Sequence, residues 1–359
     1  LSARDESLDA LRGLTVFGMG FVNLQGAPQH SFAPFVHAEW HGLTAADLVF
    51  PFFLLVVGLA IPLAVDRTVG APRWSRIWRR ALLLTAIGIA LNWLIRPSVL
   101  DDLRLTGVLQ RIGVVYLACA ALALLRPGWR LAALTAAALL VLHALTLIFV
   151  GAPGGIAPGI EPGQGISGWL DRVALPGRAL RGTYDPEGVL STLSAVASGL
   201  IGVATMRWLH SRSARSPSNM QIANVGAAVF ALGVAVITVL PVNKPLWTPS
   251  FALVTAGLGL LTWALLRSLW AGIGSSTPAR GAVLLGQTAL TLYVVQLLLI
   301  AVLVRKLPSG ERIWDAGYSA LAASGLAPAW ASLLFALLGS ALCVALMPPL
   351  KRRGWLLRA

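Results

Sequence analysis

Charge is scarce in this chain: Asp, Glu, Lys and Arg make up 12% of its 359 residues, and only 14 residues are acidic. A particle with so little charge cannot cover a soluble surface, and a hydrophobic content of 57% with a mean hydropathy of +0.77 identifies a polytopic membrane protein. Cysteine is scarcer still. Cys119 and Cys343 both fall in apolar stretches, where a thiol packs as a small hydrophobe, so no disulfide framework is expected. Tandem repeats and low-complexity blocks are missing as well. The net charge of +14 lacks the aromatic-studded soluble surface that nucleic-acid binding needs, which excludes a nucleic-acid partner and leaves attraction to anionic membrane lipids.

What the chain has is long apolar runs. Stretches near 8–24, 44–65, 78–95, 106–125, 130–150, 188–208, 221–240, 248–268, 282–304 and 328–348 have the length of roughly 17 to 25 residues that spans a hydrocarbon slab about 30 Å thick. An all-α bundle of about ten transmembrane helices is therefore predicted, with outward loops near 25–43, 151–187, 241–247 and 305–327. The first stretch carries Asp9 and Arg12 and is followed by more membrane, so it reads as a retained helix and not as a cleaved signal. Most of the basic residues sit at one end of these helices: Arg4 and Arg12, then Arg67, Arg73, Arg76, Arg79 and Arg80, Arg126 and Arg130, Arg207, Arg212 and Arg215, and Lys351, Arg352, Arg353 and Arg358. The positive-inside rule then makes both termini cytoplasmic and turns His37 outward.

Against this apolar background a few polar groups stand out. Residues 37 to 53 run from His37 through Trp40 and His41 straight into a helix whose third residue is Asp47. An imidazole at the bilayer boundary exchanges protons near neutral pH, and an acid just inside the hydrocarbon needs a partner. Arg111, with Gln110 beside it, lies at matching depth in the fourth stretch, and an Asp47–Arg111 ion pair is one solution. Three histidines, His30, His37 and His41, fall within twelve residues, but the acid stands two residues after His37 and not immediately after it, so the spacing does not make the zinc-protease motif and no metal site is predicted. His143, alone in an apolar helix, reads as a hydrogen-bonded packing residue. At the opposite face Asp9 and Arg12 share one side of the first helix, and Arg12, Arg79 and Arg80 offer charge complements to a polyanionic cofactor arriving from the cytoplasm. Two outward segments, Thr183 to Gly188 with Asp185 and Glu187, and Pro241 to Trp247 with Asn243 and Lys244, sit at the level of His37 and, with Trp40, suit a hydroxyl-rich, amine-bearing substrate.

Five segments together resemble one family. Ser7-Leu8-Asp9-Ala10-Leu11-Arg12-Gly13-Leu14, the run from His37 to Phe53, Gly107-Val108-Leu109-Gln110-Arg111-Ile112-Gly113, Asp185-Pro186-Glu187-Gly188 and Val242-Asn243-Lys244-Pro245-Leu246-Trp247 are similar, in that order, to motifs of the heparan-α-glucosaminide N-acetyltransferases and their bacterial relatives. The resemblance implies one transmembrane acyltransferase domain over 1–359 in a bacterial inner membrane, moving an acetyl group from cytoplasmic acetyl-CoA to the amine of a glucosamine-type sugar outside. It puts the family's active-site histidine on His37 and its asparagine at the end of the first helix on Asn23. Asp47, Gln110 and Arg111 are motif positions without an assigned role. With Arg12, Arg79 and Arg80, the pair Gln110 and Arg111 are candidates for holding acetyl-CoA, while Trp40, Asp185, Glu187, Asn243 and Lys244 are candidates for the sugar. Thr288 stands where the family pattern carries an amide.

Transfer from a thioester to an amine needs a proton acceptor and an oxyanion donor, roles open to His37 and Asn23, with Asp47 orienting the ring or pairing with Arg111. Direct transfer and an acetyl-His37 intermediate both remain open. The alternative from another class is a secondary transporter for an amino sugar using Asp47, Arg111 and Asp185. The Gly- and Ala-rich helices can support a homodimer.

Overall fold

The computed structural model describes residues 5–66, 74–97, 102–125, 128–175, 177, 179–212 and 217–357. Arg4, Arg67, Arg73, Arg126, Arg215 and Arg358 lie outside the described residues. Every apolar stretch read from the sequence falls on a helix, and no strand is found among the described residues. The helices are α1 (Glu6–Asn23), α2 (Ala45–Asp66), α3 (Trp74–Ile95), α4 (Val108–Leu124), α5 (Trp129–Phe149), α6 (Gly165–Ala174), α7 (Ser191–Arg212), α8 (Asn219–Ile237), α9 (Pro249–Ile273), α10 (Thr277–Gln287), α11 (Ala289–Leu303), α12 (Ile313–Ala323), α13 (Pro328–Ala345) and α14 (Met347–Arg352). Seven of them are long and apolar enough to cross a membrane, or eight if the α10–α11 pair counts as one span. At 17 residues α4 is shorter than these, and α1 carries Glu6, Asp9 and Arg12 within its length.

Local chemistry sets the helix starts. The Asp5 carboxylate accepts from the backbone N–H groups of Ser7 and Leu8 and caps α1. Ser218 and Gln221 form a reciprocal capping box on α8, and Thr248 with Pro249 opens α9; each satisfies donors that a helix start leaves open.

Burial separates an inner group from an outer one. In α7 and α9, 78% and 72% of the spanning window is buried inside the protein, and in α2 56%, against 28% for α3, α5 and α13 and 17% for α8. The outer helices present Leu82, Leu134, Val141, Leu232 and Leu338 outward, as helices apolar on all sides do when lipid is the neighbour. Lipid gives no hydrophobic drive between helices, so close backbone approach matters. A methyl on Gly58 of α2 would run into the Gly199 carbonyl of α7, and one on Gly286 of α10 into the Asp9 carbonyl of α1.

The ninth apolar stretch is not one continuous helix. It breaks at Thr288, where α10 and α11 meet at 84°. The Thr288 N–H donates to both Leu284 and Leu285 carbonyls, and its hydroxyl also turns back to Leu284, an interior bonding pattern that bends helices. The polar interruption at Gly286-Gln287-Thr288 is too short to mark the bend in a sequence reading. The loops are also more structured than their Pro and Gly content suggests: α6 lies within 151–187, α12 within 305–327, and two 3-10 turns, Pro28–His30 and Ala33–Phe35, fold the loop after α1.

Replacing Gly58 by Leu is expected to lower thermal stability in detergent by about 3 kcal/mol or more by forcing α2 from α7, whereas Gly128→Ala, with open space around it, should leave the melting temperature unchanged. Equal melting temperatures for the two variants would remove the α2–α7 contact from the packing of the core.

Candidate active site

Asp47 is the third residue of α2 and fully buried. Its Oδ2 accepts from the Ala38 N–H at 3.1 Å, the Thr44 N–H at 3.1 Å and the Thr44 hydroxyl at 3.0 Å. The side chain thereby reaches back to the residue before its own helix, in the manner of a capping box, and a negative charge at a helix start is favoured. Its other oxygen, Oδ1, lies 2.8 Å from His37 Nδ1 and 3.2 Å from Lys244 Nζ. The carboxylate at Oδ1 favours the tautomer with the imidazole proton on Nδ1, and Nε2 is then the acceptor nitrogen, with Lys244 Nζ 3.2 Å away. The His37 side chain is 42% exposed. The site is a buried carboxylate orienting an accessible imidazole.

Lys244 enters from the Pro241–Trp247 turn, with Nζ 2.9 Å from His37 Nδ1 and 3.2 Å from Nε2. Burial pushes its pKa down, and the Asp47 carboxylate opposes that shift. The turn is held hard. Trp247 adopts φ +50°, the one positive φ outside glycine among the described residues, and such strain persists only where the surroundings over-determine it. Here its ring packs edge-on between Phe50 and Phe251, and its N–H donates to Ser198. Asn243 is fully buried and donates to the Trp40 carbonyl while accepting from the Leu246 N–H. With the Gly42–Val242 backbone bond, it ties the His37 loop to the Lys244 turn.

The Asp47–Arg111 ion pair does not form. Lys244 occupies the place beside Asp47, and Arg111 faces α7 instead, donating to the Gly188 carbonyl at 3.2 Å and the Ser191 hydroxyl at 2.5 Å. Its guanidinium lies 5.1 Å from the centre of the Trp247 ring, and its Nε and Nη1 have no hydrogen-bond partner among the described residues. His143 is buried against Ser194 at 2.5 Å.

Asp185 and Glu187 belong to a cap above α7. Arg104 grips Asp185 with two bonds of 2.8 and 2.6 Å and also contacts Glu187. Asp185 further accepts from the Leu180 and Glu187 N–H groups, while buried Asp171 accepts from those of Asp185 and Val189. Burial opposes ionisation of Asp185, but the Arg104 bonds outweigh it and hold this acid below its ordinary range. Trp40 donates to the Ile160 carbonyl and meets the Tyr184 ring edge-on at 5.1 Å; His41 pairs with Glu161. Asn23 closes α1 with an exposed side chain. Sequence reasoning missed Arg104 and Asp171.

A cavity of about 420 Å³ runs between α1, α2, α3, α4 and α11. At one end it is lined by Arg12, Arg80, Gln287 and Leu357, and further along by Tyr116, Ile61, Phe53, Met19, Leu109 and Tyr293. Arg12 pairs with Asp9 at 2.6 Å and donates to the Gly286 carbonyl at 2.7 Å; Arg80 lies over the Tyr116 ring at 4.5 Å. Arg79, Gln110 and Arg111 have no place on this wall. Phe53 is six residues from Asp47, about 9 Å along the helix axis, so the cavity ends roughly two turns short of the His37 group.

Residues 4–164 match the family model described as heparan-alpha-glucosaminide N-acetyltransferase, catalytic. The heparan-alpha-glucosaminide N-acetyltransferase of Homo sapiens is 28% identical over 79% of this chain, and that of Mus musculus 26% over 77%. Each match takes in 52% of the relative, so the chain spans about half the length of the curated relatives it matches.

Removing Arg104 leaves two acids without their base, so Arg104→Met is expected to destabilise the cap by about 3–5 kcal/mol, read as lost amide-exchange protection over residues 179–189. Because Asp185 titrates below its unfolded value, the wild-type cap keeps this contribution at neutral pH and loses it as pH falls below about 4. Protection unchanged in the variant and flat with pH would contradict the latch.

Proposed function

We propose that this chain, similar to the heparan-alpha-glucosaminide N-acetyltransferases, is a member of that family and transfers the acetyl group of acetyl-CoA to the amine of a glucosamine-type sugar across the membrane. One observation carries the reading. A cavity with two guanidinium groups at one end and an apolar shaft beyond it points along α2 toward an oriented, accessible imidazole. The residues present fit the donor: Arg12 and Arg80 complement phosphate charge, and the shaft accepts a thioester arm. The arm then has to cross the two turns of side chains between Phe53 and Asp47. By this reading the Arg12 end faces the cytoplasm of a bacterial inner membrane, and His37 faces the periplasm.

In the direct route His37 Nε2 takes the proton of the attacking amine, the C–N bond forms, the C–S bond breaks, and the imidazolium returns its proton to the leaving thiolate. Asp47 fixes the ring and stabilises the imidazolium. Asn23, at the end of α1, is the proposed donor to the oxyanion. In the covalent route the same Nε2 attacks the thioester and the C–S bond breaks to release CoA thiolate; the amine then attacks the acetyl-imidazolium, its bond to Nε2 breaks, and the amine proton passes to the thiolate. Lys244 and Asn243 act in this scheme through His37 and its loop, and Trp40 and Tyr184 offer an aromatic wall to the sugar. An amino-sugar transporter is not favoured, because the relatives' names are those of acetyltransferases.

His37→Ala should abolish transfer, and Asp47→Asn should lower kcat roughly 100-fold or more with little change in the Km for acetyl-CoA. Labelled acetyl-CoA without acceptor separates the routes, since only the covalent one leaves label on His37. Wild-type rates in His37→Ala would remove the imidazole from the chemistry.

A further inference from the structure

Beyond α14 the chain turns back on itself. Gly354 adopts φ +71°, a conformation glycine enters without cost, and the Trp355 N–H returns to the Leu350 carbonyl at 2.9 Å. The segment that follows is pinned at the Arg12 end of the cavity. The Leu357 N–H donates to the buried Thr291 hydroxyl at 3.0 Å, and the Leu357 side chain forms part of the cavity wall. Lys351 donates to Gln287, itself a wall residue, at 3.3 Å. Two residues before Leu357, Trp355 is 64% exposed, with the Arg353 guanidinium 5.4 Å from its ring centre. A wide exposed aromatic face carrying a cation, beside an opening that holds Arg12 and Arg80, is the arrangement that takes a purine by stacking and its phosphates by charge.

Resting on the donor reading above, we propose that the 350–357 strap is the nucleotide-recognition element of the donor site. Trp355 stacks on the adenine of the adenosine 3′,5′-bisphosphate end of the donor, and Lys351 and Arg353 pair with its phosphates. The cavity's own wall then serves the thioester arm, and the strap decides which donors are held at its mouth. Anionic lipid headgroups share the phosphate chemistry but bring no base for Trp355, so the base separates the two ligands.

The test compares the full-length wild type with Trp355→Ala and Lys351→Gln/Arg353→Gln in detergent free of anionic lipid, using acetyl-CoA and S-acetyl-pantetheine as donors. Both variants are expected to raise the Km for acetyl-CoA roughly tenfold or more, the scale of one lost base stack, with kcat at saturation and the Km for S-acetyl-pantetheine unchanged. An unchanged Km for acetyl-CoA in Trp355→Ala overturns the proposal and returns the strap to membrane anchoring. A parallel calorimetric titration with adenosine 3′,5′-bisphosphate keeps this inference distinct from the acetyl-transfer reading. Trp355-dependent binding by a wild type that transfers no acetyl group sustains the strap and sinks the transferase. Transfer by a wild type whose nucleotide binding ignores Trp355 does the reverse.

Discussion

A single buried carboxylate organises the candidate active site of this protein. Asp47 sits where α2 begins, out of contact with solvent, and every polar group that defines the candidate active site turns toward it: the Ala38 and Thr44 amides, the Thr44 hydroxyl, the His37 ring and the Lys244 ammonium. An uncompensated charge at this depth costs several kcal/mol, so the loop before α2 and the turn before α9 are both drawn to it. Neutralising the acid and orienting the imidazole are the same set of contacts. Stability and readiness for proton transfer therefore have one origin here.

The inner helices frame a cavity that runs toward that local arrangement. Glycine contacts let α2 approach α7, and α1 approach α10, closely enough to fix their positions, while α3, α4 and α11 leave open the space that becomes the cavity. The bend at Thr288 brings Gln287 and Tyr293, on opposite sides of the break, to one wall. A straight helix through this region would place them more than a turn apart on one cylinder. The strap beyond α14 closes the remaining side with Leu357.

How much of this was legible in the residues follows from what hydropathy can and cannot encode. The helices were readable because lipid demands long apolar runs, and His37 and Asp47 were readable because a titratable pair beside such a run needs a reason. Of the two arrangements left open for Asp47, the pairing with Arg111 fails for a geometric cause. Equal depth along two helices says nothing about which way each side chain faces, and Arg111 faces α7. Lys244, the actual cation, is 207 residues from His37 in sequence, and only the folded turn, pinned by Asn243 and the strained Trp247, brings it there. Asp185 and Glu187 were legible as polar cap residues, but their engagement with Arg104 depends on a loop whose course no periodicity records.

The central claim is that donor and acceptor approach one imidazole from opposite faces of the membrane. It is tested most directly in sealed vesicles holding the protein in one orientation, with acetyl-CoA confined to the Arg12 side and glucosamine to the His37 side. N-acetylglucosamine accumulating on the His37 side, with free CoA retained on the other, is the predicted result. Product formed only when both reactants share one compartment would contradict transfer through the bundle.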